Sequence, residues 1–299
     1  MTYNTYSDFL KRKFGKKVYK LPIKLNLTCP NRDGTCGYGG CIFCGEEGGS
    51  FENTDGSIKE QLSQAKEIMK RKYKAEKFIS YFQNFTNTYM DIESFKKIIN
   101  ESLVEDVVGV SISTRPDCLY KEHLDFLEQV NKDYMVTLEI GLQTVNYHTL
   151  KIINRGHGLA DFIDGVLRAK KHGLRVCVHV LIGLPWDDDL DVYECAKILS
   201  ALSVDEVKIH ALYIVKNTLM GKLYEDGKIK TISLEDYKRK VILFLRSLKS
   251  DIIVERIIGR APEENSLFCN WNTSWWKIRD DIVKEMKENN LTQGDMRRI

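Results

Sequence analysis

From residue 20 onward the chain alternates between two hydrophobic patterns. Short runs rich in β-branched and aromatic residues occupy 21–27 (LPIKLNL), 77–82 (KFISYF), 107–113 (VVGVSIS), 134–142 (YMVTLEIGL), 174–184 (LRVCVHVLIGL) and 206–215 (EVKIHALYIV). Between them, apolar positions recur at helical spacing among charged residues, at 57–73, 91–104, 121–132, 159–173, 189–202 and 233–248. The first pattern has the period of strands and the second that of amphipathic helices. Six β–α alternations predict parallel strands with crossover helices, hence a wound sheet or a barrel. DIIVERI at 251–257 is a candidate seventh strand, and the Trp-containing tail beyond it breaks the pattern. In such folds chemistry gathers at the C-terminal ends of the strands, so the polar residues after each run are predicted to converge on one mouth.

Composition adds few constraints. With 299 residues, 43% of them hydrophobic, the chain can bury a substantial core. A net charge of +3 is too small to define a nucleic-acid binder, although KRKFGKKVYK (11–20) and KRKYKAEK (70–77) are locally basic. These runs are either solvated faces or a phosphate-tracking surface. No apolar run approaches the roughly 20 residues that span a bilayer. The first residues, MTYNTYSDFLKRKFG, lack the apolar segment of a signal peptide. A cytoplasmic protein with no membrane partner is predicted. Its thiols stay reduced there, so clustered cysteines point to metal or redox chemistry before disulfides.

Half of the eight cysteines fall in CPNRDGTCGYGGCIFC, residues 29–44. In the first run, Leu21, Ile23, Leu25 and Leu27 alternate with Lys24, Asn26 and Thr28, and Cys29 stands at its end. After eleven intervening residues comes Cys41-Ile42-Phe43-Cys44. A Cys-x2-Cys pair brings two thiolates to one centre, and the intervening glycines permit the turns around it. Three metal readings compete. A structural zinc site would use all four thiols, yet such sites come as two close pairs and only one is present. A four-cysteine electron-transfer cluster is the second. The third is a three-cysteine [4Fe–4S] cluster with one iron left open.

At these residues the chain resembles the radical S-adenosylmethionine (SAM) superfamily. Phe43, just before the last cysteine, fits that superfamily's pattern. The longer gap, with CPNRDG and GGCIFC at its ends, resembles the YhcC/YtqA-type branch, a neighbour of the Elongator catalytic subunit's radical SAM domain. The resemblance implies a partial (β/α)6 TIM-like barrel with a small C-terminal extension. The division expected is a basic segment over 1–20, a core over 21–260 and a cap over 261–299. The resemblance implies Cys29, Cys41 and Cys44 as cluster ligands and leaves Cys36 outside the set. The cofactors implied are a [4Fe–4S] cluster and SAM, whose reductive cleavage yields a 5′-deoxyadenosyl radical. Such a radical needs an enclosed site.

The same resemblance assigns the other strand ends. In QNFTNT, Asn84, Thr86 and Asn87 stand where the family holds the SAM amino group, against a reading as ordinary turn residues. Arg115, in STRPD, is a candidate near SAM or substrate, or else a local partner of Asp117. Glu139 is a charge in an apolar strand, expensive unless paired, and it is expected to hold a ribose hydroxyl or an amino group, with Gln143 next in line. Arg155, in INRGHG, is the candidate for the SAM carboxylate, and His157 is an adjoining contact or a cap. IGLP (182–185) resembles the adenine-contacting turn, which implicates Gly183 and Leu184; backbone at Ala211–Tyr213 is expected to approach adenine too. His179 and Tyr213 are further substrate-side candidates, and His210 a weaker one. Asp187–Asp189 read as a helix N-terminus. Trp271, Trp275 and Trp276 either seal the barrel or stack on a base. Cys118, Cys177, Cys195 and Cys269 are scattered, which argues against a second cluster.

The branch points to tRNA as substrate, with conversion of a carboxymethylaminomethyl group on C5 of the wobble uridine to aminomethyl. An electron donor such as flavodoxin or ferredoxin is implied. Radical chemistry on a small metabolite or peptide is the second reading, and a zinc-stabilised RNA-binding module without catalysis the third.

Overall fold

A flat sheet of seven strands would hold its two edges about 29 Å apart, at roughly 4.8 Å per step. In the computed structural model of the chain, which describes residues 2–46, 56–260 and 265–297, the edges meet across a shared interior. Lys20 on the first strand pairs with Glu255 on the last at 2.6 Å. The sheet is therefore curled into a partial barrel.

Its strands are β1 (Val18–Ile23), β2 (Lys77–Phe82), β3 (Val107–Thr114), β4 (Met135–Gln143), β5 (Arg175–Ile182), β6 (Glu206–Ala211) and, after a short β7 (Ile214–Val215), β8 (Ile253–Arg256). They are ordered β1-β2-β3-β4-β5-β6-β8 and every pairing is parallel. β9 (Ser266–Phe268) pairs antiparallel with β7 in a separate ribbon. The helices are α1 (Tyr6–Phe14), α2 (Ile58–Tyr73), α3 (Ile92–Ser102), α4 (Lys121–Val130), α5 (Tyr147–Ile152), α6 (Leu159–Lys171), α7 (Asp189–Ala201), α8 (Leu219–Glu225), α9 (Leu234–Ser247) and α10 (Trp275–Glu288). Local chemistry sets several starts. Ser57 and Glu60 form a capping box on α2, Asp91 caps α3, and Asp188 with Asp191 caps α7.

Strand alternation divides the molecule into two environments. One face of each strand, with residues such as Phe82, Ile112, Leu138, Val178 and Val207, packs with Phe95, Leu127, Phe162 and Leu245 of the helices. The other face points inward. At the N-terminal end of the strands α1 plugs the interior, where Leu10, Val18, Ile79 and Met135 pack with Tyr6 and Phe9. The opposite end stays open and polar.

Some boundaries differ from those the pattern predicts. β1 begins at Val18 and stops at Ile23. Pro22 is tolerated because β1 is an edge strand. Beyond it the backbone of Leu25 pairs with the side chain of Asn84. The 206–215 run divides, because Ile214 and Val215 leave the barrel for the ribbon with β9. The 251–257 run supplies the seventh strand. Lys20 apart, the two basic runs meet at the end of the barrel opposite the mouth. There Lys17 donates to the Tyr73 carbonyl, Lys16 pairs with Glu76, and Lys70 and Lys77 pair with Asp106.

In the tail, whose expected start at 261–264 and end at 298–299 lie outside the described residues, α10 packs on α9 through buried Ile278, Ile282 and Met286. Trp271 donates to the Ile232 carbonyl at 2.8 Å and packs on Tyr237. Trp275 is partly buried against the core and Trp276 is exposed.

Candidate active site

The cysteine loop begins where β1 ends, and neighbouring segments hold its turns. Asn154 donates to the carbonyls of Tyr38 and Gly40, while Asn31 donates to that of Asn154. Gly40 sits at φ +75°, and a Cβ there would press on the Arg32 side chain at 3.0 Å. The Ile42 amide donates to Ile153, and the Ile42 carbonyl accepts from Met220. The tip of the loop is thereby clamped between the end of α5 and the start of α8.

The result is a cavity of about 780 Å³ at the C-terminal ends of the strands, lined by Cys29, Cys41 and Cys44. Cys36 is exposed and is not part of that lining. Each of the three inner sulfurs faces a donor. Thr86 Oγ1 lies 3.5 Å from Cys29, Arg155 3.6 Å and Asn31 3.8 Å from Cys41, and Arg32 3.3 Å from Cys44. Burial pushes the Cys44 thiol up, with Arg32 opposing it, and donors of this kind tune a centre that such sulfurs bind. The spacing also matters. Among the described residues, the groups of three such side chains with ligand atoms all within 4.8 Å of one another are Glu139–Cys177–His179 and Cys177–Glu206–Glu255. The cysteine trio is not among them, so at least one pair of its sulfurs lies more than 4.8 Å apart, against roughly 3.8 Å between two thiolates on one tetrahedral zinc. A polynuclear cluster fits it better.

The remaining predicted residues divide. Thr86, Arg115, Glu139, Gln143, Arg155, His179, Ala211 and Tyr213 line the cavity with the three cysteines. Asn84 and Asn87 do not. Asn84 is fully committed to Leu25, and Asn87 donates to the carbonyls of Phe82, Asn84 and Ser113. Both brace the turn that presents Thr86, with Phe85 between them at φ +54°. Gly183 and Leu184 stand behind the wall. Gly183 makes a turn at φ +102° against Ile232, and Leu184 is buried with Leu150 and Ile153, so Leu181 takes the wall position.

Arg115 forms a bidentate pair with Asp117 at 2.9 and 2.7 Å and donates to the Arg155 carbonyl at 2.9 Å. It acts as a brace for the next arginine. Arg155 itself donates to Cys41 and to the Gly141 carbonyl, while its buried Nε has no acceptor. His157 also bonds the Gly141 carbonyl; burial and the adjacent Arg155 push its imidazole down to about 2, so it is neutral. Burial, with Cys44 adding to it, pushes the Tyr213 phenol up to about 12. Asp188 caps α7, as the acidic run suggested, and Asp189 pairs with Arg239.

Below the cysteines, in the barrel interior, lies a layer of charge. Glu139 accepts from Lys20 at 2.6 Å, Lys208 at 2.8 Å, His179 at 2.7 Å and the Ser111 hydroxyl. Glu255 pairs with the same two lysines at 2.6 and 2.8 Å. Tyr81 underlies both, with Lys208 donating to its hydroxyl at 3.1 Å. Burial alone would raise the Glu139 pKa, but Lys20, Lys208 and the His179 hydrogen bond outweigh it and hold the carboxyl well below its usual range. His179 continues to His210 at 3.2 Å, and His210 to Arg256 at 2.8 Å. The sequence reading found Glu139 and His179 but missed Lys20, Tyr81, Lys208, Glu255 and Arg256. The signal was available: each charged member interrupts an apolar strand, as in VYKLPI, EVKIHA and IVER.

A curled parallel half-barrel with three thiols at its mouth defines a class. The family profile of the Radical SAM superfamily matches residues 31–199, and that of the Radical_SAM C-terminal domain matches 204–288. The chain belongs to the radical SAM superfamily. It is similar to YtqA of Bacillus subtilis (strain 168), with 39% identity over 98% of this chain and 92% of that one. It is also similar to the tRNA uridine(34) acetyltransferase of Methanocaldococcus infernus, at 29% identity over 50% of this chain and 28% of that protein. Among solved structures, the archaeal Methanocaldococcus infernus Elp3 lacking its N-terminus shares the fold, with a TM-score of 0.72 and 17% identity over 93% of this chain and 64% of that one. The protein is thus a radical SAM enzyme whose cofactors are a [4Fe–4S] cluster and SAM. The donor-bearing thiols and the unsatisfied Arg155 Nε fit such a pair. No helix among the described residues is long and apolar enough to cross a membrane.

Proposed function

We propose that this enzyme modifies the C5 side chain of wobble uridine in tRNA, converting carboxymethylaminomethyl to aminomethyl by breaking the bond between nitrogen and the carboxymethyl carbon, whose two carbons leave as a small carboxylic acid. The observation that carries the reading is one cavity that joins three thiols to the Glu139–His179–His210–Arg256 layer. It offers room for SAM beside a polar side chain. The similarity to a protein named for uridine 34 of tRNA supports the substrate class. Apart from Lys20, which is held in the interior by Glu139 and Glu255, the two basic runs lie at the far end of the barrel, so RNA entering the mouth is gripped by other residues.

Cys29, Cys41 and Cys44 hold the cluster in this reading, and Arg155 receives the SAM carboxylate. Thr86 and Gln143 offer polar contacts, and Leu181 and Ala211 an apolar wall for adenine. When bound, the cluster and SAM supply a 5′-deoxyadenosyl radical that abstracts hydrogen. The chain's part is to orient both molecules and exclude water. A cytoplasmic setting supplies the electron donor, flavodoxin or ferredoxin. Mass spectrometry of tRNA nucleosides tests the substrate. Cells lacking the protein are expected to accumulate the carboxymethylaminomethyl nucleoside, and an unchanged wobble profile sinks the tRNA reading in favour of a small metabolite or peptide.

Gly141 gives a test of the SAM end. A Cβ at that position would lie 2.7 Å from the Arg155 guanidinium and 2.9 Å from the Gln143 amide. Gly141→Ala is expected to displace Arg155 and weaken SAM binding on the order of tenfold, the worth of one hydrogen bond to a charged group. Calorimetric titration of SAM into reconstituted protein measures this, and unaltered affinity would remove Arg155 from the SAM site.

A further inference from the structure

Most of the cations around the cavity have partners that explain them. Lys20 and Lys208 share Glu139 and Glu255. Arg115 has Asp117, while Arg32 and Arg155 donate to sulfur. Arg256 differs. It lines the cavity, and among the described residues no carboxylate lies within 4 Å of it. Its Nε is buried with no acceptor. Gly259 leaves room for it, since a Cβ there would come within 2.8 Å of the guanidinium carbon.

What holds Arg256 is neutral. Its terminal nitrogen lies 2.8 Å from His210 Nδ1 and 3.3 Å from His210 Nε2. The direction of the chain is set from its other end: an ionised Glu139 only accepts, so the Nδ1 of a neutral His179 accepts from His210 Nε2 at 3.2 Å. The His179 proton then sits on Nε2 and is donated to Glu139 at 2.7 Å. Every hydrogen bond in the chain runs from the arginine toward the glutamate. Burial, reinforced at His210 by Arg256, lowers both imidazole pKa values, so neither ring carries charge. The two rings orient Arg256, and Glu139 is already matched by its two lysines. A partly buried guanidinium with no counterion and an unsatisfied Nε is left wanting an acceptor. Its rigid fork suits a planar or tetrahedral oxyanion.

We propose that Arg256 is the anchor for an oxyanion of the substrate, a carboxylate or a phosphate, and that His210 and His179 position it. The carboxylate version rests on the wobble-uridine reading, because that side chain ends in a carboxylate; the anion site itself does not. The test uses the full chain reconstituted anaerobically with cluster and SAM. Equilibrium binding is measured for 5-carboxymethylaminomethyluridine, for its neutral carboxamide and for inorganic phosphate. The acid is expected to bind at least tenfold more tightly than the amide. Arg256→Gln is expected to bring that ratio to about one, and Arg256→Lys to keep part of it. Cluster absorbance reports that each variant is folded, and Arg256→Lys carries the test if the glutamine variant fails to assemble. If neither nucleoside binds but phosphate does, and Arg256→Gln loses it, the anion site stands with a phosphate source and the wobble-uridine reading falls. If acid and amide bind alike and phosphate does not bind, or if any preference survives Arg256→Gln intact, the proposal is overturned.

Discussion

Cys41→Ala is expected to bind no [4Fe–4S] cluster after anaerobic reconstitution, whereas Cys36→Ala retains about four irons and four sulfides per chain. The two thiols stand five residues apart in the same loop, yet their surroundings oppose each other. Cys41 is buried at the cavity wall, with Asn31 and Arg155 aimed at its sulfur. Cys36 is exposed, and its backbone donates to the Pro30 carbonyl at 2.9 Å. The loop around Cys41 is also held by contacts that do not involve its thiol. Ile42 bonds Ile153 and Met220, and Asn154 bonds two carbonyls. Loss of iron in Cys41→Ala therefore reports a missing ligand and not a collapsed loop, which circular dichroism of the variant will verify. SAM cleavage should follow the cluster, absent in Cys41→Ala and retained in Cys36→Ala. Equal iron loss in the two variants would show that all four thiols serve the centre.

Spacing and glycine content marked the loop as a metal or redox segment, and only the family resemblance implied a division among its cysteines; the exposure of Cys36 and the burial of Cys41 are features of the fold. The alternation of patterns exposed the barrel, since each β–α unit is local. What escaped the sequence depends on closure of the sheet. Lys20 meets Glu139 across 119 residues and Glu255 across 235, and no local pattern encodes which inward charges will share a layer. Glu139 stood out as a carboxylate in an apolar strand; its partners stood out equally, but only the curl of the sheet makes them partners. The turn after β2 shows a finer failure. Asn84, Thr86 and Asn87 are equivalent as polar residues, and the left-handed Phe85 decides that Thr86 alone of the three reaches the cavity. At the end of β4, a register shift between Gly141 and Gln143 breaks the alternation that a sequence reading relies on.

The charge layer makes the second large prediction. Glu139→Gln keeps the shape of the side chain and removes its charge. The carboxylate is buried and accepts from Lys20, Lys208, His179 and Ser111, all donors in this arrangement. An amide places its own N–H groups against some of those donors and leaves two buried ammonium groups with Glu255 alone. Breaking a buried ion pair by neutralising one member costs about 3–5 kcal/mol. Glu139→Gln is expected to lose that much at pH 7, read from urea unfolding. The pH dependence has a definite sign. The folded carboxyl titrates well below its usual range, because the lysines and His179 overcome the effect of burial. Its contribution is therefore complete above the unfolded value of about 4.3 and is lost as pH falls through the folded value. The stability gap between wild type and variant should be constant from pH 7 to about 5 and narrow below about 4. A deficit under about 1 kcal/mol at neutral pH would mean that solvent or rearranged lysines compensate the loss. A gap that widened in acid would reverse the assignment of Glu139 as the ionised centre of the layer, and with it the direction of the hydrogen-bond chain that orients Arg256.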